Sequence, residues 1–233
     1  MRYSEPHLIQ TVKGKWSNIL TDPELWFLIT INGVLLYFYY SGTLDALTVV
    51  WIYYCQSVLI GIQYFIRMMS LHQFSTKNLK SNSRPVPETN AGKRSTAFFF
   101  LFHYGFFHFV YFIFLLVITA GADHISFDRN LVYTSVLGFI GNAIISLVSQ
   151  IRQDRETVPN IGTMMFTPYL RIWPMHLFII IGFVNDQFFS GLIPGLDVFV
   201  LFMILKTCSD LLFYIVTNKT WLQRRKPVFT EVF

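Results

Sequence analysis

The chain has 233 residues, of which 53% are hydrophobic, 18% are aromatic and only 13% are charged, and its mean hydropathy is +0.47. An average soluble domain carries about 25% charged residues, because polar side chains must cover its surface. This composition excludes a water-soluble enzyme, a secreted disulfide scaffold and a disordered chain. The net charge is +5, but the basic residues are not clustered on a polar domain that could bind nucleic acid. The two cysteines, Cys55 and Cys208, match no metal-binding motif. The composition instead predicts an all-α integral membrane protein.

The first 23 residues predict a cytoplasmic segment that lies on the membrane surface. Within residues 8–20 the apolar side chains share one helical face, with Lys13 opposite this face and Lys15 at its edge. An amphipathic helix of this kind binds the interface of an anionic inner leaflet, so anionic lipids are expected partners. The alternative is a simple lead-in to the first transmembrane helix.

Six apolar stretches are long enough to cross a bilayer as helices, which takes roughly 20 residues each. Their polarity does not alternate, which excludes a membrane β-barrel. We therefore expect a bundle of six transmembrane helices in residues 24–217, followed by a basic cytoplasmic tail in residues 218–233. The predicted spans cover residues 24–40, 46–69, 96–120, 131–151, 168–189 and 192–217.

The Lys and Arg residues predict the orientation of this bundle. If the N-terminus is cytoplasmic, all 18 of them except Arg129 and Lys206 lie inside or at the inner interface. Cytoplasmic loops carry such an excess, so both termini are predicted to face the cytoplasm. The inner loop at residues 70–95 is basic and rich in Ser and Asn, and we interpret it as flexible.

Polar side chains in four of the predicted spans form the candidate site. An ionisable group in the hydrocarbon core is costly, so each one is a functional hypothesis. At 1.5 Å per residue, these groups lie within roughly 20 Å of the inner surface. We interpret them as one polar layer between spans two, three, five and six, opening toward the cytoplasm. Its members are Gln56, Gln63, His103, Tyr104, His108, Arg171, His176, Lys206 and Asp210.

Lys206 and Asp210 are four residues apart and therefore share a helix face. A mutual ion pair is their cheapest state, because burial neutralises an isolated charge first. The pair either fixes the rotation of the sixth span or belongs to a proton or substrate site.

The histidines raise the question of a metal. His103, His108, His176 and Asp210 supply ligand types for zinc or iron, and two histidines can also ligate haem from opposite sides. His103 and His108 are about 140° apart around the helix and do not chelate one metal by themselves. The alternative is that the histidines donate to helix carbonyls or tyrosines and serve only in packing. The cofactor stays open.

Pro174 predicts a break in the fifth span. Its missing N–H frees the carbonyl of Leu170, and such a break is tolerated only where other groups satisfy the backbone. The break therefore fits a polar cavity beside Arg171 and His176.

The fourth span predicts a packing helix. Gly138 and Gly141 belong to a small face that allows close helix approach. A second, polar stripe carries Asn142, Ser146 and Ser149, and it can join the wall of the cavity.

These residues resemble a family of uncharacterised polytopic membrane proteins of prokaryotes. The matching motifs are the aromatic-rich residues 51–56, His-Tyr-Gly-x-x-His at 103–108, Pro-Tyr-x-Arg with a downstream histidine at 168–176, and Lys-x-x-x-Asp at 206–210. Gln56 departs from the pattern, since a carboxylate is expected at that position. The resemblance implies a prokaryotic plasma or inner membrane location and supports the site, but it implies no reaction.

Three functions compete on these residues. The first is ligand binding or transport, with the Lys206–Asp210 pair as site or gate. The second is a metal-dependent membrane enzyme acting on lipid, with Asp210 as base or ligand. The third is a scaffold whose polar layer locks helix packing. No inverted repeat is visible, although a homodimer can supply one, and no nucleophile–base pair can be identified. Ligand binding or transport is preferred, and whether the chain is an enzyme stays open.

Overall fold

The chain is helical throughout most of the part that the computed structural model describes, residues 23–121, 128–187 and 198–224. The helices are α1 (Pro23–Tyr40), α2 (Ala46–Met69), α3 (Asn90–Gly121), α4 (Arg129–Arg155), α5 (Ile161–Phe166), a 3₁₀ turn (Thr167–Arg171), α6 (Ile172–Gln187) and α7 (Val198–Arg224). The prediction of an all-helical fold is confirmed. The surface helix predicted in residues 8–20 lies outside the described residues.

Four of the described helices are long and apolar enough to cross a membrane. They are α2, α3, α4 and the Phe199–Val216 part of α7. α1 adds a shorter apolar stretch, Leu28–Tyr40. α3 begins at Asn90, before the predicted start at residue 96, so its first turns are a continuous extension of the third predicted span. The fifth predicted span is not α-helical throughout, because it begins with the 3₁₀ turn and continues as α6.

α2 is the central helix of the bundle. It packs along α3 on one side and α4 on the other, and it also contacts α5, the 3₁₀ turn and α6. α7 packs against α1, the 3₁₀ turn and α6. The largest fully buried side chains along these contacts include Tyr53, Met68, Phe100 and Phe202. The polar groups described below lie on these helices and on the 3₁₀ turn.

The outer faces of α3 and α4 expose large apolar side chains. Phe102 on α3 and Ile145 on α4 are each 73% exposed. Many Phe, Ile and Leu side chains on the same faces are exposed as well. A soluble monomer rarely shows apolar patches of this extent, whereas a lipid-facing helix surface requires them.

Two loops at one end of the bundle are folded onto each other and form what we call the cap, residues 70–89 and 156–160. The Ser75 N–H donates to the Pro159 carbonyl over 2.9 Å, and the Ile161 N–H donates to the Ser75 carbonyl over 3.0 Å. The interpretation of the first loop as flexible is therefore wrong. Its backbone groups find partners in a second loop that is distant in sequence.

Within the cap, strands β1 (Lys80–Ser81) and β2 (Arg84–Pro85) form an antiparallel hairpin. The two residues of its turn, Asn82 and Ser83, have φ of 48° and 64°. Positive φ at both positions matches the twist of paired strands, and Asn tolerates it better than most residues. The polar composition that suggested flexibility thus serves a tight turn.

Gly61 tests the packing of α2 against α3. A Cβ atom at Gly61 would lie 2.3 Å from Cε1 of Tyr104. We expect Gly61→Ala to lower the thermal midpoint in detergent, because overpacking forces the helices apart at a cost of about 1–3 kcal/mol. Gly105→Ala is the matched control, since a Cβ there meets nothing within 4 Å. Equal midpoints for the two variants would contradict this helix contact.

Candidate functional site

Lys206 and Asp210 lie on successive turns of α7 and form the ion pair that their spacing predicts. Lys206 Nζ is 2.8 Å from Asp210 Oδ2, and the two residues are 8% and 5% exposed. Lys206 Nζ also donates to Oδ1 of Asn32 on α1 over 2.7 Å. The lysine therefore has two acceptors and joins α7 to α1.

Arg171 brings a second cation to the same carboxylate. Its Nη1 is 3.3 Å from Asp210 Oδ1, and its side chain is 11% exposed. The ring of Phe213 covers the guanidinium, with 4.8 Å between Cζ and the ring centroid. We call Asn32, Arg171, Lys206 and Asp210 the charge cluster. Its three ionised groups have a formal excess of one positive charge.

The charge cluster has hydrogen-bonding atoms without partners. Among the described residues, Arg171 Nε, Arg171 Nη1 and Asp210 Oδ1 are buried and accept or donate no hydrogen bond. The contact between Arg171 and Asp210 is thus an ion pair without hydrogen-bond geometry. Native proteins leave few buried polar groups unsatisfied, so each such atom needs an explanation.

The break in the fifth predicted span holds Arg171 in place. Leu170 and Arg171 lie in the 3₁₀ turn, just before Pro174 in α6. The carbonyl of Leu170, which Pro174 leaves free, accepts a hydrogen bond from the Ser209 hydroxyl. The carbonyl of Arg171 accepts one from the Tyr53 hydroxyl over 3.0 Å. The expected satisfaction of the broken backbone by other groups is confirmed, and one of those groups neighbours Asp210.

His108 and Tyr104 belong to a second group, which we call the hydroxyl–histidine group, together with Ser57 on α2. His108 Nδ1 donates to the Tyr104 carbonyl over 3.0 Å, and it must carry a proton because a carbonyl only accepts. His108 Nε2 is 3.0 Å from Ser57 Oγ, and the Tyr104 hydroxyl donates to the Ser57 carbonyl over 2.9 Å. Both ring nitrogens thus have partners, Nδ1 within α3 and Nε2 across to α2.

The other two histidines of the predicted site connect α3 to the broken span. His103 Nδ1 is 2.7 Å from the hydroxyl of Tyr169 in the 3₁₀ turn. His176 Nδ1 on α6 is 3.2 Å from the hydroxyl of Tyr111. Each histidine has a tyrosine partner, which is the packing role weighed against metal binding.

The proposed metal ligands do not converge. His103, His108, His176 and Asp210 each have different partners, as described above. In residues 23–121, 128–187 and 198–224, no group of three or more His, Cys, Asp and Glu side chains is placed to hold a metal ion. The structure brings only Arg171, Lys206 and Asp210 of the nine predicted site residues into one charged cluster.

The two glutamines of the predicted site, Gln56 and Gln63, also lie outside the charge cluster. Gln63 Nε2 donates to Ser146 Oγ over 3.2 Å and to Gln150 Oε1 over 3.3 Å, both on α4. The polar stripe of the fourth predicted span therefore does meet the central helix. Gln56 is half-buried on α2 and belongs to none of these groups. The single predicted layer is divided among several helix contacts.

Sequence reasoning missed a buried ion pair between α2 and α4. Arg67 Nε is 2.5 Å from Asp154 Oδ2, and Arg67 Nη2 donates to Asp154 Oδ1 over 2.8 Å. It also missed Asn32 and Ser57. Asn32 was detectable, because it is a lone amide in an apolar stretch. Asp154 was not, because nothing local in the sequence relates it to Arg67.

A groove of about 420 Å³ opens at the cap end of the bundle. Its walls include Lys77 and Asn160 from the cap, Phe166 from α5, Leu170 from the 3₁₀ turn and Val216 from α7. Leu170 is also the residue whose carbonyl is bonded to Ser209. The groove therefore reaches the backbone that carries the charge cluster.

Comparison with known proteins identifies a family. A model described as a family of unknown function (DUF6498) matches residues 15–227, which include every described helix. No curated protein and no solved structure matches the chain. The expectation of an uncharacterised family is confirmed at this level.

Two substitutions in the charge cluster should differ sharply in their effect. Asp210→Asn leaves two buried cations without a counter-charge, and we expect it to cost about 3–5 kcal/mol of stability. Lys206→Met leaves Arg171 and Asp210 balanced, so its effect should be much smaller. Thermal unfolding of both variants in detergent measures the difference. Equal losses would show that charge balance does not govern this cluster.

Proposed function

We propose that this chain, which belongs to the DUF6498 family of unknown function, is a multi-pass membrane protein that binds or transports a ligand at its charge cluster. The observation that carries the proposal is the burial of three charged side chains, two of which, Arg171 and Asp210, keep atoms without a hydrogen-bond partner. Ionisable groups within membrane spans are costly and mark substrate or ion pathways. The charge cluster is therefore the site that we assign to function.

The proposed topology has six spans, formed by α1, α2, α3, α4, the 3₁₀ turn with α6, and α7. The cap and both termini face the cytoplasm of a prokaryotic plasma or inner membrane. The distribution of Lys and Arg supports this orientation, since Arg129 alone would lie outside. The four long apolar helices and the apolar stretch of α1 support five of these six spans.

A comparison within the same chain favours a ligand site over a packing device. Arg67 and Asp154 form a buried pair with two short hydrogen bonds, as expected of a contact that only joins helices. Arg171 and Asp210 are also buried, yet they lack hydrogen-bond geometry at 3.3 Å. A structural pair gains from satisfied geometry, whereas a binding site keeps donors for its ligand.

The broken helix beside the charges supports the same proposal. Transporters place substrate sites at discontinuous helices, where freed backbone groups and side chains face the ligand. Here the fifth span begins with a 3₁₀ turn, and Arg171 lies where this turn passes into α6. Tyr53 and Ser209 satisfy its carbonyls, so the break is stable without using the guanidinium.

A ligand site must be reached by water, and a thiol at position 32 tests this. We expect Asn32→Cys, made after Cys55→Ser and Cys208→Ser, to react with a membrane-impermeant maleimide in membrane vesicles. Leu115→Cys in the same background is the control, since Leu115 is fully buried in the apolar core and should stay unreactive. If neither thiol reacts in vesicles of either orientation, the cluster is a packing device and the proposal fails.

Sidedness is tested with two exposed positions at opposite ends of the bundle. Lys80 lies in the cap, and Arg129 begins α4 at the other end. In the cysteine-free background, Lys80→Cys should react with the impermeant reagent only in inside-out vesicles. Arg129→Cys should react only in intact cells. The reverse pattern would place the cap outside and overturn the topology.

A further inference from the structure

We propose that the ligand of the charge cluster is an oxyanion, a carboxylate or a phosphate group, and that Arg171 binds it. This inference rests on the proposed function and names its ligand class. The argument starts from the sign of the charge. Arg171 and Lys206 both pair with Asp210, and no second carboxylate among the described residues pairs with either cation. An anion would neutralise the cluster, whereas a cation would add to its excess.

The hydrogen bonds show which cation has donors to spare. Lys206 Nζ is satisfied by Asn32 at 2.7 Å and by Asp210 at 2.8 Å. Arg171 keeps two buried nitrogens, Nε and Nη1, without an acceptor. The geometry points to Arg171 as the group that meets the ligand, with Lys206 holding Asp210 in place.

The guanidinium presents its edges to a ligand. Phe213 lies over its face, so an incoming group meets the N–H donors in the plane of the side chain. In-plane contact of this kind is the arrangement in which arginine binds carboxylates and phosphates. Arg67 shows the filled state in the same protein, since its Nε and Nη2 both bond to the carboxylate of Asp154.

The groove at the cap lies beside the turn that carries Arg171. Leu170 lines it and immediately precedes Arg171. Lys77 places a positive charge on its wall, which favours an anion, while Phe166 and Val216 make another part of the wall apolar. The groove therefore suits either a free oxyanion or the headgroup of an anionic lipid whose chain lies against the apolar wall.

The test is thermal unfolding of the full chain in phosphatidylcholine nanodiscs with four probes. Sodium phosphate, sodium acetate and sodium octanoate are compared with sodium chloride at equal ionic strength, and phosphatidic acid is added to the nanodisc as the fourth probe. We expect at least one probe to raise the midpoint. A shift with a soluble probe identifies a free oxyanion, and a shift with phosphatidic acid alone identifies a lipid headgroup.

Variants decide whether the shift belongs to Arg171. Arg171→Gln should abolish it, and the variant should fold because Lys206 and Asp210 remain balanced. If it does not fold, Arg171→Lys replaces it and should weaken the shift, because an ammonium group lacks the planar donors. Arg129→Gln, at an exposed arginine, is the matched control and should keep the full shift.

Two results would overturn the inference: no probe raises the midpoint, or the shift persists without the Arg171 guanidinium. The thiol at position 32 separates this failure from that of the proposed function. A reactive thiol together with no oxyanion effect rejects the ligand class alone. An unreactive thiol rejects the ligand site itself.

Discussion

The carboxylate of Asp210 lies between two cations, Arg171 and Lys206. These two ion pairs connect α7 to the 3₁₀ turn and, through Asn32, to α1. Lys206 pairs with Asp210 one turn away on α7, and its bond to Asn32 joins α7 to α1. Arg171, the last residue of the 3₁₀ turn, brings a second cation to the carboxylate. Removing the carboxylate would leave two like charges in an apolar interior, where each is far more costly than at a surface.

The other polar groups have a different physical role. The hydroxyl–histidine group and the Arg67–Asp154 pair tie α2 to α3 and to α4 through short, satisfied hydrogen bonds. Between apolar helices in lipid there is little hydrophobic driving force, so such bonds and close packing set the contacts. These groups differ from the charge cluster, in which Arg171 and Asp210 keep buried atoms without a hydrogen-bond partner.

The cap shows how polar sequence acquires order. Its composition is typical of a solvated loop, yet the Ser75 backbone is bonded to Pro159 and Ile161. Asn160 adds a bond from its amide to the Lys77 carbonyl and accepts one from the Thr163 N–H at the start of α5. A folded cap at one end of the bundle gives the groove a fixed wall, which a flexible loop would not provide.

The sequence by itself determined the features that depend on neighbouring residues. Apolar length specified the helical class, a spacing of four residues specified the Lys206–Asp210 pair, and Pro174 specified a break that needs polar partners. Only the tertiary structure decided which helices share a polar group. Counting residues along a helix gives the depth of a side chain in the membrane. It does not give the rotation of the helix about its axis, nor which helices pack beside it. Arg67 and Asp154, or Lys206 and Asn32, therefore meet through packing between segments far apart in the chain, and the nine predicted site residues divide for the same reason.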